Sequence, residues 1–216
     1  MWPSWFCYRD STINARGLLA RPRVVMTTHK PLFPLFLKLA GRSVLVVGAG
    51  SVAASKLHAL VASGAEVHVV APEIDPVIKS MAVRISQRCF QASDLDAAWF
   101  VVAAATSDVN HAVAAAAEQR HIFVNAVDDP SNASAYLGGV TRRPGVTIAI
   151  STDGNAPALA GLIREGLDTL LPASDLEKWI VEAKEMRRKW KENQVPMSDR
   201  RPQLLQALIK SYDLDN

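Results

Sequence analysis

A chain of 216 residues, 49% hydrophobic and 21% charged, is long enough for one α/β unit and a smaller appendage, each with a buried core. Its strongest apolar run, 97–105, has the length of a strand and falls far short of the ~20 residues that cross a bilayer, so a membrane protein is not expected. The formal charge of +3 comes from the amino terminus, where Arg9, Arg16, Arg21, Arg23 and Lys30 face the single acid Asp10. The remainder is close to neutral and lacks the basic footprint of a nucleic-acid binder. Cys7 and Cys89 stand far apart with no Cys-x-x-Cys pair. That argues against a disulfide framework or structural zinc and fits a reducing cytoplasm.

Residues 1–25 show neither helical period nor strand alternation. Their arginines suggest a transit peptide, while Met26 offers an alternative start, so residues 1–30 are treated as an extension outside the fold. From Pro31 the punctuation becomes regular. Val44–Val47 is an apolar run between Gly41 and Gly48 and predicts a buried strand. Ser51–Ser63 carries Val52, Leu57, Leu60 and Val61 at roughly helical spacing, with Gly64 where a helix ends. Glu66–Ala71 is a second strand stopped by Pro72, which completes a βαβ unit with parallel strands.

Further strands are predicted at Val83–Ser86, Ala98–Ala105, Ile122–Val127 and Val146–Ser151. An alanine-rich helix spans Asp108–Arg120, capped by Ser107 or Asp108. Repeated βα units with doubly apolar strands indicate an open α/β sheet covered on both faces. Beyond Ser151 the pattern is helical: Ala156–Leu171 between Pro157 and Pro172, then Leu176–Glu192 and Pro202–Tyr212, joined by the polar segment Asn193–Arg201. This tail is too short for a second large core, so its apolar faces should pack on the α/β unit or on a partner subunit.

The clearest chemistry lies in Gly48-Ala49-Gly50-Ser51-Val52-Ala53, a Gly-x-Gly-x-x-Ala that leaves a strand and opens a helix. Gly48 permits a tight turn, Gly50 lets backbone approach a pyrophosphate, and the free N–H groups of the helix start, from Ser51 and Val52, face the anion. This is the Rossmann dinucleotide pattern. The acidic residue expected at the end of the second strand is displaced: Val70 and Ala71 hold that place, and Pro72 and Glu73 follow. No arginine stands nearby to receive a 2′-phosphate, which favours NAD over NADP. Thr106, after the Ala98–Ala105 strand, is a further candidate contact for the cofactor.

The run from Gly41 through Gly48-Ala49-Gly50 to Lys56 resembles the opening of precorrin-2 dehydrogenases, the amino-terminal part of sirohaem synthase, some of which also act as sirohydrochlorin ferrochelatases. Val124-Asn125-Ala126-Val127-Asp128-Asp129-Pro130 is similar to that family's Asn-x-x-Asp turn, and Ser151-Thr152-Asp153-Gly154-Asn155-Ala156-Pro157-Ala158-Leu159-Ala160 to its Ser-Thr-x-Gly-x-x-Pro-x-Leu-Ala signature. The likeness spans about residues 31–212, with Ala49 and Asp153 standing where glycine is usual. It implies NAD-dependent oxidation of precorrin-2 to sirohydrochlorin, with ferrous iron insertion at the same site in many members. It further implies a homodimer in which a Rossmann domain (31–137) precedes a dimerisation region (138–172) and a helical carboxyl-terminal region (173–216). The methyltransferase half of fused members is not expected, since the chain ends at Asn216.

Asp128 follows a strand and should open on the carboxyl-end crevice of the sheet, where a partly buried carboxylate would serve as general base; the resemblance points to the same residue. The alternative is an Asp-Asp-Pro turn in which Asp128 only satisfies backbone N–H groups. Asn125, Ser151, Thr152 and Asn155 are candidate contacts for substrate carboxylates, although Asn155 could equally cap the helix that follows. Arg142, Arg143 and Arg164 are weaker candidates for the same acidic arms. The five histidines show no metal-ligand spacing, and no metal site is assigned. Two rival functions remain open at this point: a non-catalytic NAD-sensing module and a dehydrogenase of another small substrate.

Overall fold

The computed structural model describes residues 31–213. The chain divides into two units, Met1–Phe36 and Leu37–Asn216. Of the first, residues 31–36 are described and carry no regular structure. The readings of residues 1–30, including the alternative start and His29, lie outside the described residues.

Five parallel strands form one sheet in the order β3-β2-β1-β4-β5: β1 (Ser43–Val47), β2 (Glu66–Ala71), β3 (Arg84–Gln87), β4 (Phe100–Ala103) and β5 (Phe123–Ala126). Chain direction reverses its lateral progress between β1 and β4, which opens a crevice at their carboxyl ends. Alternation along each strand builds two separate cores. Val44, Val46, Val69 and Val102 face α1 (Ser51–Ala62) and α2 (Pro76–Lys79), with Leu57, Leu60 and Ile78 packed on them. Leu45, Val47, Val70 and Val101 face α3 (Ser107–Glu118), where Val113 and Ala117 meet them. Each such fully buried Val or Leu side chain contributes about 1.5–3 kcal/mol, so the sheet is the stable centre of the molecule. This is the Rossmann-type α/β fold expected from the alternating pattern.

The carboxyl-terminal part differs from expectation in its strands. Val146–Ile150 forms β7, but it pairs antiparallel with β6 (Gly139–Arg143) in a separate two-stranded sheet and does not extend the parallel one. β6 escaped sequence reading because Gly-Val-Thr-Arg-Arg offers no apolar run. The signal that could have found it is the Pro144-Gly145 turn, with Gly145 at φ +77°, between two short segments of matching length. Helix α4 (Pro157–Leu170) packs on this hairpin, followed by α5 (Ala173–Glu192) and α6 (Met197–Asp213). Helix α6 starts five residues before the predicted Pro202 and carries that proline inside it. The polar stretch read as a linker is drawn into its first turns, with the Arg200 guanidinium donating to the Val195 carbonyl. Trp190 is buried and donates through Nε1 to Gln203 Oε1 at 2.7 Å, joining α5 to α6.

Candidate functional site

The carboxyl ends of β1, β2, β4 and β5 gather the residues singled out from sequence. After β1, Gly48 adopts φ +101°, a left-handed conformation that side-chain-bearing residues rarely reach, and a β-carbon there would overlap the carbonyl of Ala104 beyond β4. Gly48 is therefore required by the fold itself. Gly50 is different. Its φ of −87° is ordinary, and a β-carbon would meet nothing within 4 Å. Neither backbone nor packing among the described residues demands glycine there, and the space it leaves open lies at the start of α1. No side chain caps that helix end, so the first-turn N–H groups of Ser51 and Val52 face outward. An open cradle with uncapped donors fits a pyrophosphate.

The flanking loops are fixed around this turn by backbone bonds. The Asp75 N–H donates to the Ala49 carbonyl at 3.0 Å and draws Pro72 and Glu73 beside the glycine turn. Both Pro72 and Glu73 are exposed, at the end of the second strand where a ribose would lie. Beyond β4, buried Asn110 accepts the Ala105 N–H at 3.0 Å and holds the loop that presents Thr106. Thr106 itself is the N-cap of α3, where Ser107 or Asp108 was expected, and its side chain makes no capping bond.

A cavity of about 340 Å³ runs from the end of β5 to the hairpin and the start of α4. Asn125, Asp128, Ser151 and Thr152 all line it. Asp128 sits at φ +55°, a left-handed turn that aspartate tolerates better than most residues, immediately past the strand end. It is exposed at the cavity rim and not partly buried as expected, because the turn lifts it out of the strand's packed surroundings. Two carboxylates stand side by side here, with different duties. Asp129 accepts from Ser131 Oγ at 2.7 Å and from Asn132 Nδ2 at 2.8 Å, and these bonds hold it below the usual carboxylate range. The turn-stabilising role that sequence allowed for Asp128 thus falls to its neighbour. No hydrogen bond or ion pair within the described residues engages the Asp128 carboxylate, which leaves it available to a ligand.

Asn125 is buried and donates to the Ala135 carbonyl at 3.0 Å, which orients its amide at the cavity floor. Ser151 Oγ accepts from the Asp153 N–H at 3.1 Å, and Thr152 Oγ1 from the Ala156 N–H at 3.2 Å. Each hydroxyl has a lone pair occupied by backbone and a proton still free to donate. Asn155 is exposed and outside the lining, and Ala156 rather than Asn155 holds the N-cap position of α4. Asp153, placed where the resembling family carries glycine, lies at φ +53° and is also outside the lining.

The arginines divide. Arg143 and Arg164 both engage Asp168, at 2.9 Å each; the Arg143 pair ties β6 to α4, and the Arg164 pair lies within α4. Arg142 is exposed, and none of the three reaches the cavity. The cation that does reach it is Lys56 of α1, which sequence reasoning passed over. One lysine on a helix has no distinguishing spacing, and only its place in the second turn of the helix that starts at the glycine turn could have drawn attention to it. Through Lys56, the helix that begins at the phosphate cradle also forms a wall of the Asp128 cavity.

Comparison with known proteins follows the same division of the chain. Residues 35–139 match a family model described as "Putative NAD(P)-binding", and residues 145–169 match the sirohaem biosynthesis protein central family. The chain thus carries both matches in order, the NAD(P)-binding one followed by the sirohaem biosynthesis central one, and it is similar to sirohaem synthases. Among these relatives, siroheme synthase 2 of Cronobacter sakazakii is 40% identical over 173 residues, covering 78% of this chain and 38% of the relative. Siroheme synthase of Photorhabdus laumondii is 44% identical over 147 residues, covering 65% of this chain and 31% of the relative. The chain thus spans about a third of the length of these curated relatives. A solved structure titled SirC, precorrin-2 dehydrogenase, superposes with a TM-score of 0.61 at 26% identity, covering 81% of this chain and 88% of that one. Among the described residues, no helix is long and apolar enough to cross a membrane.

Proposed function

We propose that this chain catalyses the NAD-dependent dehydrogenation of precorrin-2 to sirohydrochlorin. The observation that carries the proposal is the shared wall between cradle and cavity: α1 opens at the glycine turn and lines, through Lys56, the space in which Asp128, Ser151 and Thr152 converge. In this reading Gly48, Gly50, Ser51 and Val52 hold the pyrophosphate, Pro72 and Glu73 meet the adenosine ribose, and Thr106 borders the cofactor from the far side. An anionic Glu73 would repel a 2′-phosphate, which favours NAD over NADP. When bound, NAD accepts the hydride that the oxidation releases. Asp128 takes the accompanying proton as general base. Asn125, Ser151 and Thr152 orient carboxylates of the tetrapyrrole, with Asn155 at the outer edge.

The proposal extends to the assembly and to a second reaction. The division into a Rossmann domain (31–137), a dimerisation region (138–172) and a helical region (173–216) is supported by the change from parallel sheet to hairpin and helices. Leu159, Leu162 and Leu170 of α4 are 50%, 65% and 75% exposed, apolar surface that a second copy would cover in a cytoplasmic homodimer. Ferrous iron enters as a substrate of the same cavity, where Asp128 would remove pyrrole protons before insertion.

Replacement of Asp128 by Ala tests the reading. The rate of sirohydrochlorin formation should fall about 10²–10⁴-fold while NAD affinity is kept. An unchanged rate would remove Asp128 from the mechanism, and a variant that binds NAD although the parent never oxidises precorrin-2 would favour a sensing module.

A further inference from the structure

The cavity sets an electrostatic problem for the substrate just proposed. Precorrin-2 carries several carboxylates, yet the cavity's lining presents two acids, Asp128 and Asp129, against one basic side chain. Asp129 is held in its anionic form by Ser131 and Asn132. Like charges repel strongly at a partly desolvated surface, so an acidic ligand needs a compensating cation there. Arg143 and Arg164 cannot supply it while Asp168 engages them, and Arg142 lies outside the lining.

Among the described residues, Lys56 is the only cation of the lining. It is half-buried, and no hydrogen bond or ion pair within the described residues engages it, neither Asp128 nor Asp129 included. Its position explains its reach. Five residues past Ser51, it lies about 7 Å down the axis of α1, and its Cα–Cβ bond leans back toward the helix start. The four-carbon stem can then run along the helix and present the ammonium to the cavity it lines. A cation with a flexible stem and three donors suits a carboxylate on a flexible side arm.

We propose that Lys56 anchors a carboxylate side arm of the tetrapyrrole and thereby seats the ring against Asp128. This rests on the tetrapyrrole reading given above. Lys56 is a positioning residue: it binds the periphery of the substrate, and the proton transfer stays with Asp128. Its contribution is made in the ground state and the transition state alike, so it should appear in KM and leave kcat largely alone.

The test is a fluorescence titration of the full chain with uroporphyrin, a stable octacarboxylate tetrapyrrole, beside a titration with NAD. Lys56→Gln should weaken uroporphyrin binding about 10-fold or more, leave NAD binding unchanged and lower the salt dependence of porphyrin affinity. Lys56→Arg should recover most of the loss. In turnover, Lys56→Gln should raise KM for precorrin-2 with kcat within about 3-fold of the parent. Equal uroporphyrin affinity in parent and Lys56→Gln would overturn the anchor while leaving the tetrapyrrole reading intact. A parent chain that does not bind uroporphyrin, and does not oxidise precorrin-2, would overturn that reading itself. Weakened NAD binding in Lys56→Gln, with porphyrin binding unchanged, would assign the lysine to the cofactor and refute the proposal.

Discussion

The parallel sheet and the hairpin–helix region that follows it solve the problem of burial in opposite ways. Val44, Val46, Val101 and Val102 are fully enclosed by the chain's own helices on both faces. In α4, by contrast, Ala160 is buried while Leu159, Leu162, Ile163 and Leu170 stay exposed. The first region completes its core alone. The second has an apolar surface left over, and the site lies where the two meet, with β5 and α1 on one side and β7 and α4 on the other. A rigid sheet edge can hold a cofactor in register, while in the proposed homodimer the second region would link site geometry to assembly.

Several perturbations break or sharpen this contrast. The largest effect is expected in the self-sufficient region. Gly48→Ala forces a β-carbon into the Ala104 carbonyl at a left-handed backbone position, and should destabilise the fold by about 3 kcal/mol in urea unfolding. A loss below about 1 kcal/mol would mean that the turn can relax. In the second region, Leu162→Glu places a charge on the exposed α4 surface. It should raise the dimer dissociation constant at least 10-fold (~1.4 kcal/mol) in sedimentation experiments, with the urea midpoint of the dissociated chain hardly altered. Unchanged mass would move the interface elsewhere.

A smaller effect concerns the sheet margin. His68 on β2 is buried, with Nε2 2.9 Å from Ser86 Oγ and Nδ1 2.9 Å from Arg84 Nη2. Burial, and then the Arg84 charge, hold its pKa below the ordinary 6.5. The unfolded chain therefore takes up a proton near pH 6.5 that the folded chain resists. Stability from this residue is complete above that pH and declines as pH falls through it toward the folded value. We expect stability to fall between pH 7.5 and 5.5, with the decline flattened in His68→Gln. An equal slope in the variant would show that other groups carry it. The smallest change in stability is predicted for Gly50→Ala, within about 0.5 kcal/mol, since its β-carbon meets nothing. NAD affinity should nevertheless fall about 10-fold. Full NAD binding by this variant would contradict the cradle.

Sequence made the sheet legible where largely apolar runs ended at glycine or proline, as in Val44–Val47 before Gly48 and Glu66–Ala71 before Pro72. It did less well where packing, and not composition, decides structure. β6 carries two arginines in five residues and becomes a strand only because β7 and α4 lie against it. The helical reading of Ala156–Leu171 was right in kind, but Asn155 looked like a cap because short polar residues commonly are caps, whereas here Thr152 Oγ1 reaches forward to the Ala156 N–H. In the site, Asp128 and Asp129 are indistinguishable as a dipeptide; their difference arises from the Ser131 and Asn132 contacts that the following turn creates. Lys56 had only its place near the start of α1 to suggest it, because its meaning depends on a cavity closed by residues between Asn125 and Gly161.

The central claim is that a dinucleotide held at the Gly48–Gly50 turn receives what a tetrapyrrole loses in the Asp128 cavity. Anaerobic incubation of the full chain with precorrin-2 and NAD, following sirohydrochlorin and NADH by absorbance, tests it most directly. The account predicts that both products accumulate in equal amounts and that neither forms without NAD. Sirohydrochlorin produced at the same rate without NAD, or no product with it, would contradict the account.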